Sequence, residues 1–170
     1  MKTFTKGFII SSLVYLLFTA IFGLAYIFFD NIPTDIEISA YWLIVSTVHS
    51  FLLGFVTMMI FGVTYHIIPM FSGRDFYSPI LAYIHLILSN ISTAGIIFSL
   101  LFSMYHVVKV FAVLAVISLL IFVFNMTLTF LQKPRKEEIY NPFGKGDTEA
   151  DRVAIRFTSL SIIYLLIGCP

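Results

Sequence analysis

The sequence predicts an all-α integral membrane bundle of four to five transmembrane helices with its N-terminus on the cytoplasmic side. Three observations carry that prediction. Charged residues make up only 11% of the 170-residue chain and the mean hydropathy is +0.99. A soluble domain carries about 25% charged residues, so this chain cannot coat a water-facing surface. Its apolar residues gather into long segments, most of them reaching the roughly 20 residues that a helix needs to cross the hydrocarbon core. Nine of the ten basic residues fall on one side of the topology those segments define, and the positive-inside rule makes that side cytoplasmic.

The elements follow in order within one membrane domain, 1–170. Lys2 and Lys6 precede the first apolar segment, 7–29. A basic start before an apolar run has the outline of a signal peptide. About 23 apolar residues exceed a signal core, however, and "FGLAYIFFDN" makes a poor cleavage site, so the segment reads as a retained helix. The loop "DNIPTDIE" carries Asp30, Asp35 and Glu37 and no base. It lies outside, as a solvated acidic loop that could also meet a small basic redox donor. The second segment, 38–69, runs from outside to inside, and Arg74 follows it. The third, 79–104, returns, and the fourth, 107–131, carries Lys109, the one base on the outer side, near its start. The loop 132–152 holds most of the remaining charges. Its Pro, Gly and mixed charge describe a cytoplasmic linker, and Gly144-Lys145-Gly146 lacks phosphate-loop spacing. The fifth segment, 153–168, is about 16 residues. It is a short or tilted span, or the sequence stops inside or just after its last helix. The 19 Phe and 9 Tyr suit a lipid-facing surface with aromatic belts. The single cysteine, Cys169, forms no internal disulfide and no Cys-based zinc site. Nothing points to a nucleic-acid partner, and no catalytic residue set emerges.

The chemistry-bearing residues are the four histidines, His49, His66, His85 and His106, all in or at the ends of the second and third segments. Ionisable groups inside a membrane are costly and usually functional. Neutral imidazole is the cheapest of them and a common haem and metal ligand. No Asp or Glu lies within the apolar spans, so haem suits this inventory better than a zinc or copper hydrolase site. Counted from Asp75, His66 lies nine residues before and His85 ten after, which places them at one depth at 1.5 Å per residue. His49 and His106 differ by roughly 7 Å along the axes. A left-handed bundle reads with a 3.5-residue period. On the third segment that period selects 85, 89, 92, 96, 99, 103 and 106, a seam of Ser with His at each end and Ile96 midway. On the second it selects 49, 52, 56, 59, 63 and 66. Each helix is therefore expected to aim both of its histidines at one interface. The serine seam is expected to serve close helix approach or clearance for haem. Gly54 and Gly62 are expected to allow close packing, and Met58, Met59 and Met70 to belong to the core. Asn90, Thr93, Asn125, Thr127 and Thr129 are expected to bond between helices.

The stretch "VHSFLLGFVTMMIFGVTYHIIP" resembles the second helix of the haem-copper oxidase subunit I superfamily, particularly its small prokaryotic relatives, and is similar to the nitric-oxide-response haem-copper membrane proteins. The resemblance rests on His49, Gly54, Gly62, Tyr65, His66 and Pro69. It implies that His49 is an axial ligand of a low-spin haem b toward the outer face. It covers about 30 residues well. A full subunit I has about twelve helices, and the copper-site histidines of that family come from later helices, so no copper is expected from this chain alone. Many relatives have a second His where this chain has Thr47.

Three functions remain in view. The first is a haem b membrane protein of the subunit-I-like class in the cytoplasmic membrane. It would carry electrons or bind a diatomic gas through His49 iron ligation, with His66 a second candidate metal ligand, and assemble with itself or other membrane subunits. If it is part of an enzyme, it is a component of an oxidoreductase complex. The second is a di-haem, quinone-linked anchor with His49/His106 above and His66/His85 below. The third is a haem-free structural or assembly subunit.

Overall fold

The computed structural model describes residues 2–29, 40–132 and 156, and those residues are helical apart from short turns, with no strand. Helix α1 covers Thr3–Phe29 and α2 covers Ala40–His49. A π-helical segment, Ser50–Thr57, continues α2 without a break into α3, Met58–Ser72. Helix α4 covers Pro79–Leu101 and α5 covers Tyr105–Leu131. Four helices are long and apolar enough to cross a membrane: Thr3–Phe28, Tyr41–Ser72, Pro79–Leu101 and Tyr105–Leu131. The chain is a multi-pass membrane protein built for a bilayer. Apart from Arg156, the expected fifth segment, 153–168, and the linker from 133 onward lie outside the described residues.

The ends of the helices follow from local chemistry. Gly73 takes the left-handed conformation (φ 59°) and stops α3. Ser78 caps α4 by accepting a hydrogen bond from the Leu81 N–H, with Pro79 in the first turn, where its missing N–H costs nothing. Helix α4 ends earlier than the hydropathy suggests, at Leu101. Met104 N–H bonds Ser99 C=O (2.7 Å) and Ser103 N–H bonds Leu100 C=O (3.0 Å), a Schellman closure with Ser103 at φ 57°. The chain then turns at once into α5.

The interior mixes small polar residues with an aromatic cluster, and large apolar side chains cover the outer surface. Buried positions include Ser12, Ser46, Ser50, Ser92, Ser118 and Asn125, whereas Val110, Val113 and Ile87 are at least 60% exposed. Lipid solvates apolar side chains as well as a protein interior does, so helices associate through small residues, close packing and hydrogen bonds. The expectation for glycine holds at Gly54, where an added Cβ would overlap Tyr15, and at Gly62, which packs against Phe8 and Ile9. Met58 is buried, as expected of a core residue, but Met70 is 70% exposed. An aromatic cluster of Phe4, Phe8, Phe61, Tyr65, Phe76 and Phe122 fills the end of the bundle nearest the α3–α4 turn. At the opposite end Trp42 meets Tyr105 edge-on at 5.2 Å, a pairing suited to an interfacial belt.

Candidate functional site

The inward face of the second span runs through Leu43, Ser46, Ser50, Gly54, Met58, Phe61, Tyr65 and Ile68. Its mean step is about 3.6 residues, that of an ordinary helix. The expectation that His49 and His66 share the inward face is therefore corrected. His66 is exposed, as are Leu52 and Val63 of the expected seam, and His49 is half-buried on the flank. The physical reason is that small residues, not imidazoles, set the phase. Ser46, Ser50 and Gly54 admit neighbouring helices closely: Ser50 Oγ donates to Tyr15 C=O (3.2 Å) and Ser46 Oγ donates to Ile97 C=O (3.4 Å). One residue along a helix turns the side chain by about 100°, so Tyr65 faces inward where His66 was expected to.

His49 closes α2, and the π segment begins at the next residue. Its Nδ1 lies 2.8 Å from the Val45 C=O. A carbonyl only accepts, so Nδ1 carries the proton and Nε2 keeps its lone pair in the neutral ring. Metal-bound histidines characteristically hold their second ring nitrogen in this way. The surroundings of His49 on the span are apolar and face lipid, with Val48 46%, Phe51 40% and Leu52 51% exposed. One proton-fixed imidazole on an apolar, open face can supply one axial ligand to a haem. π-helical turns are uncommon and frequent at functional sites.

The third-segment seam faces inward as expected through His85, Ser89, Ser92, Ile96 and Ser99. It then reaches half-buried Ser103 and exposed His106. Its role is packing and hydrogen bonding. Ser89 and Ser118 share a 2.6 Å hydrogen bond between α4 and α5, and Ser92 donates back to Ser89 C=O. His85 is fully buried. Rings of Phe61 (4.6 Å), Phe8 (4.9 Å), Phe122 (5.3 Å) and Tyr65 (5.7 Å) surround it. That shell leaves no slot for a porphyrin beside His85. Its Nδ1 shares a 3.1 Å hydrogen bond with Tyr65 Oη, and its Nε2 is buried without a partner. No group of three or more His, Cys, Asp or Glu side chains converges among the described residues.

Tyr65 is the residue that sequence reasoning noted only as part of a motif. Its hydroxyl meets both His85 and the side chain of Asn125. Asn125 in turn accepts from Ser78 N–H (3.2 Å) and donates to Ser78 C=O (3.1 Å), while Thr129 Oγ1 accepts from Tyr77 N–H. Asn125 and Thr129 thus bond outside their own helix, to the α3–α4 turn and not to a second helix as expected. Asn90 differs: its side chain bonds Leu86 C=O of its own helix. A polar chain runs from the α4 cap through Asn125 and Tyr65 to His85. Tyr65→Phe is expected to destabilise the bundle by about 1–3 kcal/mol, because it leaves the buried His85 Nδ1 without its hydrogen-bond partner. Adding His85→Leu is expected to cost less than the sum of the single changes. Thermal unfolding of the four proteins in one detergent measures the coupling.

Comparison with family models, curated proteins and solved structures finds no match for this chain.

Proposed function

We propose that this is a haem b-binding multi-pass protein of the cytoplasmic membrane, of the subunit-I-like class, with its N-terminus on the cytoplasmic side. His49 is the axial ligand. The observation that carries the reading is the Nδ1 hydrogen bond from His49 to Val45 C=O at 2.8 Å, which leaves Nε2 available on an apolar flank. The resemblance of the stretch from His49 to Pro69 to the superfamily's second helix supports the same residue. When bound, the haem supplies one-electron chemistry or an open site for a diatomic gas. The chain's own contribution is orientation: the carbonyl fixes the imidazole tautomer, and the neighbouring Val48, Phe51 and Leu52 supply a dry surface. His49 lies on a flank and not in the bundle centre, so a second copy or another membrane subunit covers the remaining face. His66 and His106, both exposed, are the residues free to take part in such an assembly.

His85 favours a second reading, a haem-free assembly subunit, because this fold already holds one imidazole in a closed aromatic shell with a hydrogen bond to Tyr65. A reduced-minus-oxidised spectrum with a pyridine haemochrome on the purified membrane protein decides between them. The haem reading predicts a b-type signal at no more than one haem per chain. A preparation expressed with ample haem that lacks any Soret band sinks it.

A further inference from the structure

We propose that the α3–α4 turn and the start of α1 form a binding site for the phosphodiester of an anionic phospholipid. The starting observation is two buried polar atoms without hydrogen-bond partners, Arg74 Nε and Ser72 Oγ, two residues apart where α3 ends. Buried polar groups are nearly always satisfied, so a pair left open in one turn calls for a partner. Gly73, in the left-handed conformation, reverses the chain between them.

Further cations reach the same turn from α1. Lys2 Nζ lies 4.3 Å from the centroid of the Phe76 ring, and the Phe4 ring meets Phe76 edge-on at 5.4 Å. The beginning of α1 is thereby held against the turn. Lys6 lies one helical turn along, on the same side as Lys2. Asp75 is the one acid among the described residues, and it has an interaction of its own. The three cations leave the turn net positive.

Location and chemistry together select a lipid. The turn joins the spans Tyr41–Ser72 and Pro79–Leu101, which places it at headgroup level. Met70 (70%), Phe71 (60%) and Ile80 (71%) are exposed beside it and offer an apolar surface for acyl chains. No protein group fixes Arg74 Nε, so the guanidinium can turn its Nε–Nη fork outward. That fork matches two phosphate oxygens. The Ser72 hydroxyl adds a donor and the lysines add charge. Basic pockets between helices at the membrane surface bind lipid headgroups in this way.

The test uses the full-length protein in mixed micelles, titrated with phosphatidylglycerol or phosphatidylcholine and read by native mass spectrometry. Phosphatidylglycerol is expected to remain bound and phosphatidylcholine to dissociate. Arg74→Gln is expected to weaken phosphatidylglycerol binding by about fivefold, the effect of one interfacial cation. Arg74→Lys is expected to recover part of that loss, because it restores charge but not the fork. Lys6→Gln provides the same readout if Arg74→Gln does not fold. Equal retention of both lipids, or unchanged binding in a folded Arg74→Gln protein, overturns the proposal. Displacement by millimolar inorganic phosphate also overturns it, since the site would then be one for free anions.

Discussion

His49→Ala is expected to reduce bound haem to background while leaving the helical bundle intact. The two effects separate because of where the side chain lies. His49 is half-buried on the flank of its span, and its one protein hydrogen bond is to the Val45 carbonyl of its own helix. Removing it vacates no core volume and strands no interhelical partner, so thermal stability without haem is expected to change by less than about 1 kcal/mol, in the range of exposed-site substitutions. His85→Leu is expected to do the opposite. It disrupts the Tyr65 pairing inside the aromatic shell and lowers stability, yet leaves haem per folded chain unchanged. Haem content by pyridine haemochrome, set beside thermal unfolding for each variant, gives four numbers. Full haem in His49→Ala refutes the assignment. Haem loss in a folded His85→Leu protein moves the site to the aromatic shell.

Gly95→Ala is expected to be among the most destabilising single substitutions in the bundle. An added Cβ on Gly95 would overlap the ring of Phe111, which lies flat against that glycine across the α4–α5 contact. With the packing of α1 along the second span, this is one of the two main helix–helix contacts among the described residues. The obstacle is the body of a ring attached to a short stem, so side-chain rotation alone does not relieve it and the helices must separate. Overpacking of this kind costs about 1–3 kcal/mol and occasionally more. Separation also strains the 2.6 Å Ser89–Ser118 hydrogen bond in the same contact. The double variant Gly95→Ala/Phe111→Ala is expected to recover much of the loss, because it returns the space that the methyl group needs. Gly23→Ala is the control: nothing lies within 4 Å of a Cβ there, and helix propensity alone predicts a gain of about 1 kcal/mol. Equal melting temperatures for Gly95→Ala and Gly23→Ala would show that the α4–α5 contact is not built around Gly95.

Fold class was legible because it depends on composition and length alone. A chain with 11% charge and apolar runs above about 20 residues has few alternatives in water. The inward face of α4 was legible for a similar reason. Four serines at a 3.5-residue period within an apolar run have one economical arrangement, which is against another helix. The second span was harder. A 3.5-residue period drawn through His49 and His66 turns the wrong face inward. Ser46, Ser50 and Gly54 set the phase instead, because they let the neighbouring helices come close. Hydropathy weighs a serine and a histidine by polarity, and carries no measure of how closely a backbone can be approached.

By itself, the sequence determined that this protein is a multi-pass helical bundle and where the four described spans begin and end to within a few residues. Those properties follow from transfer free energy and local capping, which act residue by residue. Only the tertiary structure decided which imidazole is sealed and which is open. His85 is enclosed because Phe8, Phe61 and Phe122 from three other segments converge on it. His49 is left on a flank because Ser50, its immediate neighbour, makes the interhelical contact. Both outcomes depend on packing between segments far apart in the chain, and no local pattern encodes them.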